Sequence, residues 1–532
     1  MKRYISLILF FVVLVAPFVV RQLVAKRTDD NGAGGGNADD ALELTIVTPH
    51  NQDIRRAFAA AFSDWHRQQH GRPVRITYLT PGGTNDIVRL LNDKYDAMRE
   101  NGERKNPLPP EAQVLADIDM MWGGGDFPFD VELKPHGLLK PVNVPADVWS
   151  AAFPAPDIAG IPLYEAPSKD RPGQAPRWVG VALSSFGMIY SPPLYETLGL
   201  PAPTKWEDLA NPRLAGLVAG TDPSRSASVA TAYMTILQRA MADGEEALFA
   251  ARPDIKAMPK AEREKLPEHQ QAIAAGWKAG MGTLQLMAAN ARYFTDSGSQ
   301  PANDVGNGEA AAGVAIDFFA RVNEEAIGQH RIRYLAPRGA SAINADPIAI
   351  LYGVTGEREA LANRFITWLL TPEAQSLWAL RAGQSPYVPR SLRRLPIARS
   401  VYADRSRWAD DVNPFEESGG FNMRPEWTSL LFSDMRVIWS ASWIDARSTL
   451  KESYKTIMAV PDDARRAQLV AELATVPIEM KDVTDQRARR RAIADGKDPT
   501  EKDARIWMAK QRIATAERFR NHYRAIAAKA GE

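Results

Sequence analysis

The chain has 532 residues, of which 45% are apolar and 24% charged, with a formal net charge of +1 and no cysteine. That length exceeds what one hydrophobic core serves, so two or three units are expected, and the charge balance argues against a global nucleic-acid footprint, which needs a clustered excess of Lys and Arg. Without cysteine there is neither a disulfide nor a lipid-modified cysteine anchor.

The N-terminus reads as an export signal or a membrane anchor. Met1-Lys-Arg-Tyr4 precedes the apolar run Ile5 to Val20, and Arg21, Lys26 and Arg27 follow it. Such a run spans about 24 Å at helical rise, slightly short of a bilayer core. No convincing small-x-small cleavage site follows, which favours an uncleaved anchor over a cleaved signal peptide. Asp29 to Asp40 (DDNGAGGGNADD) then reads as a solvated tether.

From Leu42 the pattern becomes α/β. Leu42 to Thr48 is a predicted strand broken by Pro49-His-Asn-Gln52. A helix follows with Ile54, Phe58, Ala61, Phe62 and Trp65 on one face, stopped at Gly71-Arg-Pro73. Val74 to Tyr78 is a second strand, Pro81-Gly-Gly-Thr84 a glycine turn, and Ile87 to Met98 a second helix. After a polar insertion (Arg99 to Gln113), Ala116-Asp-Ile-Asp-Met-Met-Trp-Gly-Gly-Gly-Asp126 reads as a buried strand ending in a three-glycine turn. This alternation predicts a parallel sheet. It gathers His50-Asn51, Gly82-Gly83-Thr84 and Trp122-Gly123-Gly124 at the edge where open α/β sheets bind ligands.

Val179 to Tyr190 (VGVALSSFGMIY) reads as a long apolar strand, long enough to cross between two lobes. Thr204-Lys-Trp-Glu207 reads as a capping box, and Leu217 to Thr221 as a strand. Asp222-Pro-Ser-Arg-Ser-Ala227 then leads into a helix reaching about Met241. Ser224 and Ser226 are good caps, Arg225 is permanently charged, and the free N–H groups of a helix start suit an anion. Ala272 to Asn290 is a helix, and Val305 to Phe319 contains a strand with Asp317 at its end. Ile343 to Tyr352 is a further apolar strand, followed by paired helices over 364–370 and 372–381. Beyond about Arg390 the tryptophans at 408, 427, 439 and 443 fall in a helical segment and read as packing surface. A last helix from Thr500 places Ile506, Ala509, Ile513, Ala516, Phe519, Tyr523 and Ile526 along one stripe, and the basic run Arg487 to Arg491 precedes it. No Walker A, His-Glu-x-x-His or Gly-x-Ser-x-Gly motif occurs, so no enzyme and no cofactor is expected.

The ordered set ADIDMMWGGGD, GLLKP, YSPPLYETLGLPAPTKWEDLANPRLAG, DPSRSASVATAYMTIL, VGNGEAAAGVAIDFF and ANRFITWLL-TPEAQSLWAL, over roughly 42–390, resembles the periplasmic solute-binding proteins of ABC importers. The resemblance is to the ferric iron, polyamine and phosphonate group. It implies a type II fold: two discontinuous α/β lobes joined by crossing strands, closing on ligand by a hinge. The expected layout is an anchor at 1–27, a linker at 28–41, lobe 1 at 42–180 with a return at 342–400, lobe 2 at 181–341, and a mostly helical extension at 401–532.

Ferric members bind iron through two adjacent tyrosines after the Gly-Glu segment, and the matching positions here are Phe318 and Phe319. Phenyl rings do not ligate a hard cation. What does match is the set that holds an anion: Ser224-Arg225-Ser226, Asn290, and the polar residue before the aromatic pair, Asp317. Asp317 is expected to pair with Arg225 or to read an amino group. The implied function is capture of a small polar, anionic (phosphorylated or carboxylated) solute for delivery to an inner-membrane ABC permease. The expected ligand set is His50, Asn51, Gly82, Gly83, Thr84, Trp122, Gly123, Gly124, Ser224, Arg225, Ser226, Asn290 and Asp317, with no metal site. Ferric iron with a synergistic anion is one alternative. A sensor or scaffold meeting an envelope partner through the C-terminal extension is another.

Overall fold

The computed structural model describes residues 40–531 except 115, 159, 168–172, 417–419, 499 and 501–502. The expected anchor and nearly all of the linker lie outside these residues. Among the described residues, no helix is long and apolar enough to cross a membrane.

The first lobe begins as the hydrophobic alternation predicts. Strand β1 (Leu42–Val47) pairs in parallel with β2 (Val74–Leu79) and β3 (Met120–Trp122). Helix α1 (Gln52–His70) separates β1 from β2; Asn51 Oδ1 caps it by accepting from Ile54 N at 3.0 Å, and Gly71 ends it in the left-handed region. Helix α2 (Thr84–Met98) follows β2.

Strand β4 (Val179–Tyr190) is the crossing element. Val179–Ser185 pairs antiparallel with β9 (Ile343–Leu351), which also pairs with β3. Phe186–Tyr190 pairs instead with β7 (Ala312–Ile316), and Met188–Tyr190 also with β8 (Arg333–Leu335). Beyond β7 lie β5 (Val218–Thr221) and β6 (Ala291–Thr295), both parallel. The hydrogen-bonded order β2-β1-β3-β9-β4-β7-β5-β6 is therefore two mixed sheets sharing one buried strand. The register of β9 shifts between Asp346 and Pro347, where a proline has no N–H to give to the ladder. The return segment continues in helices α7 (Gly356–Leu369) and α8 (Pro372–Leu377) and pairs Leu395–Pro396 back onto β4.

In the second lobe the long helices α3 (Ala227–Ala251) and α4 (Pro267–Asn290) pack on each other, and α5 (Gln300–Gly306) and α6 (Asp317–Ile327) flank β7. The expected capping box before Trp206 uses Asp208 rather than Glu207: Asp208 Oδ2 accepts from Thr204 N and Lys205 N, opening a short 3₁₀ turn.

The C-terminal extension is helical: α9 (Pro425–Ser440), α10 (Arg447–Met458), α11 (Asp463–Ala474), α12 (Met480–Ala494) and α13 (Ala504–Ala528). It shares a core with the second lobe. Trp439 and Trp443 stack 5.8 Å apart against Tyr233 of α3, and their indole N–H groups reach Met281 Sδ and Gln285 Oε1 of α4. Of the stripe expected on α13, Ala516, Phe519, Tyr523 and Ile526 are buried, whereas Ile506 and Ile513 are exposed. Trp507 is the buried residue of the first turn, because a straight 25-residue helix rotates any long stripe off a fixed contact line.

Candidate functional site

A cavity of about 490 Å³ lies between the lobes. Its first wall is made of the loops after β1, β2 and β3. His50 N donates to Thr48 Oγ1 at 3.1 Å, which fixes the first loop. Gly123, Gly124 and Gly125 all have positive φ. A Cβ at Gly124 would lie 2.6 Å from Thr84 Oγ1, so this backbone can approach the second loop only as glycine. The opposite wall is the start of α3 with the Asp296–Ser299 turn, and Phe318 and Phe319 at the start of α6 close one end.

Within this lining lies a buried polar cluster. Asp346 Oδ2 is 2.7 Å from His50 Nε2 and 2.9 Å from Arg394 Nη1, and its Oδ1 accepts from Gly124 N at 3.0 Å. Arg394 also donates to Ser184 Oγ at 2.7 Å, and its guanidinium sits over the Phe318 ring at 4.4 Å. Burial pushes the Asp346 carboxyl up, but Arg394, His50 and the Gly124 N–H outweigh it and hold it below the usual carboxylate range. Burial lowers the His50 pKa against the pull of Asp346, with Arg394 adding to the lowering. The ring is therefore neutral at pH 7, donates from Nε2 to Asp346, and leaves Nδ1 buried without a hydrogen-bond partner among the described residues.

The cavity wall presents two arginines and four aspartates, but they are not equivalent. Asp346 is neutralised as above, and Asp86 Oδ2 accepts from Gly83 N at 3.1 Å. Asp126 accepts from Asn344 Nδ2 at 3.2 Å, and burial, helped by Asp130, pushes its carboxyl up to about 6. Asp296 is exposed at the rim. Arg225 is exposed, and its guanidinium has no ion-pair partner among the described residues. Ser226 Oγ caps α3 by accepting from Val229 N, with Ser228 and Thr231 on the same wall.

Eight residues of the expected set line this cavity: His50, Asn51, Gly82, Gly83, Thr84, Gly124, Arg225 and Ser226. The other five do not. Trp122 is fully buried, edge-on to Phe58 at 5.5 Å and to Trp378 at 5.9 Å. Gly123 sits behind the turn, its N–H bonded to Pro347 O at 2.7 Å. The Ser224 carbonyl accepts from Asn85 and Arg436 on a separate groove. Asn290 is a buried tie, donating to Leu209 O and Asn211 O and accepting from Tyr454 Oη. Asp317 is buried and bonded to Ser185 N, Ser185 Oγ and Phe318 N, and it does not pair with Arg225. Asp126, Ser184, Asp296, Asn344, Asp346 and Arg394 also line the cavity and lie outside the expected set. The only signal for Asp346 was an acid followed by proline inside the apolar run INADPIAIL.

Among the described residues no group of three His, Asp or Glu side chains is arranged to hold a metal ion. The guanidinium over Phe318 places a positive charge where the resemblance would put a tyrosinate.

Comparison with known proteins finds a family over half of the chain. Residues 133–401, half of the chain, match the family model "Bacterial extracellular solute-binding protein". A curated relative is the "Phosphoglycerate transport regulatory protein PgtC" of Salmonella typhimurium, 24% identical over 216 residues; the match spans 40% of this chain and 44% of the relative, less than half its length. Among solved structures, the periplasmic binding protein AfuA from Actinobacillus pleuropneumoniae, with exogenous fructose-6-phosphate bound, is 16% identical and covers 73% of this chain and 98% of its own, with a TM-score of 0.46. Iron-bound HitA from Pseudomonas aeruginosa is 13% identical and covers 72% and 94%, with a TM-score of 0.46. Proteins of this family are not enzymes in general; they bind small molecules outside the cytoplasm, in the periplasm, and deliver them to ABC permeases. With a continuous family match over half its length and a two-lobed cleft crossed by shared strands, the chain belongs to the bacterial extracellular solute-binding proteins of ABC transporters.

Proposed function

We propose that the cleft captures a small solute with an anionic head, phosphorylated or carboxylated, and a hydroxyl- or amino-bearing body. The observation that carries this is Arg225: an exposed guanidinium without an ion-pair partner among the described residues, two positions before the first residue of α3 and on the cavity wall. Helix N–H groups and a permanent cation together favour an anion. The carboxylates left on the wall, Asp126 and Asp296, accept hydrogen bonds from the body of such a solute. Arg394, held over Phe318, works against ferric iron at the same end.

The test is a thermal-shift screen of 3-phosphoglycerate, sugar phosphates, phosphonates, dicarboxylates, polyamines and ferric citrate. A ligand that binds only the native state at 100 times its Kd stabilises by about 2.7 kcal/mol. Phosphate-bearing ligands are expected to raise the melting temperature of the parent and not of Arg225→Ala. Equal shifts in both proteins overturn the anion site. Stabilisation by ferric iron alone, lost in His50→Ala, overturns the whole reading.

A second reading is supported by the extension and by the relative's name, which joins phosphoglycerate transport to regulation. In it the protein is a sensor, tethered to the inner membrane by the apolar segment Ile5 to Val20, whose helical C-terminal extension contacts an envelope partner. Crosslinking in membranes separates the two: capture of a permease supports import, capture of a signalling protein supports sensing. A soluble mature form beginning near residue 26 overturns the tether.

A further inference from the structure

The extension lies beyond the matched family segment, yet α9 touches both lobes. Through Trp439 it is anchored in the second lobe, against Tyr233 and Met281. Toward the first lobe it offers Phe432, whose ring lies 4.3 Å from that of Phe127, a cavity-wall residue. One turn further, Arg436 is buried and spans the seam. Its Nε donates to Pro223 O at 3.0 Å and its Nη2 to Ser224 O at 3.1 Å, both in the second lobe. The same Nη2 donates to Asn85 Oδ1 of the first lobe at 3.1 Å, and Nη1 is 3.8 Å from Glu132. Asn85 closes the knot by donating from Nδ2 to Ser224 O at 2.6 Å and Arg225 O at 2.9 Å.

We propose that Arg436 is a positioning residue for the ligand site. From outside the cleft it fixes the 223–225 turn that presents Arg225, and with Phe432 it latches the first lobe onto the second. Because α9 shares its core with the second lobe, the contacts that break on opening are those to Asn85, Glu132 and Phe127. Closure of the cleft and seating of the extension are therefore one equilibrium: ligand tightens α9 against the first lobe, and whatever displaces α9 weakens ligand by the same factor. A planar guanidinium can hold three acceptors at fixed angles, which an ammonium cannot. The role of the 223–225 turn rests on the anion reading above; the latch does not.

The absence of native cysteine makes the test direct. Spin labels at Asp93→Cys and Lys256→Cys, exposed positions in the first and second lobes, report the lobe separation without ligand. The parent is expected to give one narrow distance, and Arg436→Met a broadened, displaced distribution. Arg436→Lys recovers part of the parent distance, whereas Arg518→Met, which removes an exposed ion pair to Asp482 between α13 and α12, leaves it unchanged. Titration with inorganic phosphate then reads the site: a closed fraction reduced to about a tenth weakens apparent affinity about tenfold. Asn85→Ala, which removes the first-lobe acceptor of Arg436 without a substitution in the extension, must give a similar displacement, and Arg436→Met combined with it must add little. Identical distances in parent and Arg436→Met overturn the latch, as does full additivity of the two changes. A displaced distance with no phosphate binding by the parent upholds the latch and counts against the anion reading alone.

Discussion

Arg394 Nη1 lies 2.9 Å from Asp346 Oδ2, and the two side chains, one from the end of the return segment and one from the β9 bulge, are both buried in the lining of the cavity. Removing the acid strands a buried guanidinium, so Asp346→Asn is expected to cost about 3–5 kcal/mol at pH 7. The Asp346 carboxyl titrates lower in the folded chain than its unfolded value of about 3.9. Its contribution is therefore complete above that value and is lost as pH falls below it. Urea denaturation of both proteins between pH 7 and pH 3 checks this: the gap between them should narrow only at the acidic end. A gap independent of pH would contradict the pairing.

Gln375 ties four backbone groups with one buried amide. Its Nε2 donates to Val181 O at 2.8 Å and Leu369 O at 2.7 Å, and its Oε1 accepts from Ile397 N at 2.7 Å and Ala398 N at 3.3 Å. The crossing strand β4, the end of α7 and the closing return strand thus meet at one side chain. Gln375→Leu leaves buried backbone donors and acceptors unmet at about 1–3 kcal/mol each, so a total loss of about 3 kcal/mol or more is expected from urea midpoints. A loss below about 1 kcal/mol would mean that water takes over these groups.

How much of this was legible in the sequence varies with how each residue is specified. The crossing strand was, because its apolar run is broken only by Ser184-Ser185 and shows no period-two alternation, as in strands buried on both faces, and β4 occupies Val179–Tyr190. The glycine turn was, because its φ values demand glycine. The face to which Trp122 points was not: in the three-residue strand Met120–Trp122 every position is buried, so period two carries no information. Asn290 and Asp317 are polar, buried and close in sequence to lining residues, yet both serve backbone groups or neighbouring hydroxyls, and sequence does not distinguish a buried tie from a ligand contact. The Asp346–Arg394 pair joins residues 48 positions apart in a fold whose return path is set by tertiary packing. Neither has a local motif.

Helices α3 and α4 cross with almost no separation at Gly276. A Cβ there would lie 2.3 Å from Ala240 O and 2.6 Å from Met241 Cα, both backbone atoms with nowhere to move. Gly276→Ala is expected to destabilise by about 1–3 kcal/mol despite the better helix propensity of alanine. Gly496→Ala, where nothing lies within 4 Å but φ is +69°, separates strain from crowding and should cost about 1 kcal/mol. Thermal unfolding of both variants measures the order; a milder effect at Gly276 would refute the close crossing.

Asp126 makes the cleft sensitive to pH. Its carboxyl, raised to about 6 by burial and by Asp130, is charged at pH 8 and neutral at pH 5. A permanently charged anion meets one less repulsive charge at the lower pH, so sulfate binding should tighten between pH 8 and pH 5, as read by isothermal titration calorimetry. The sign for stability runs the same way. A carboxyl harder to ionise in the folded chain than in the unfolded one disfavours folding as pH rises from about 4 through 6, and the penalty is constant above. Asp126→Asn should therefore match the parent at pH 4, exceed it by about 1–3 kcal/mol at pH 8, and bind sulfate with a flatter pH profile. The calorimetry and the urea midpoints test the same charge by independent routes. If the variant keeps the parent's pH profile in both, Asp126 is not the acid that sets the pH dependence of the cleft.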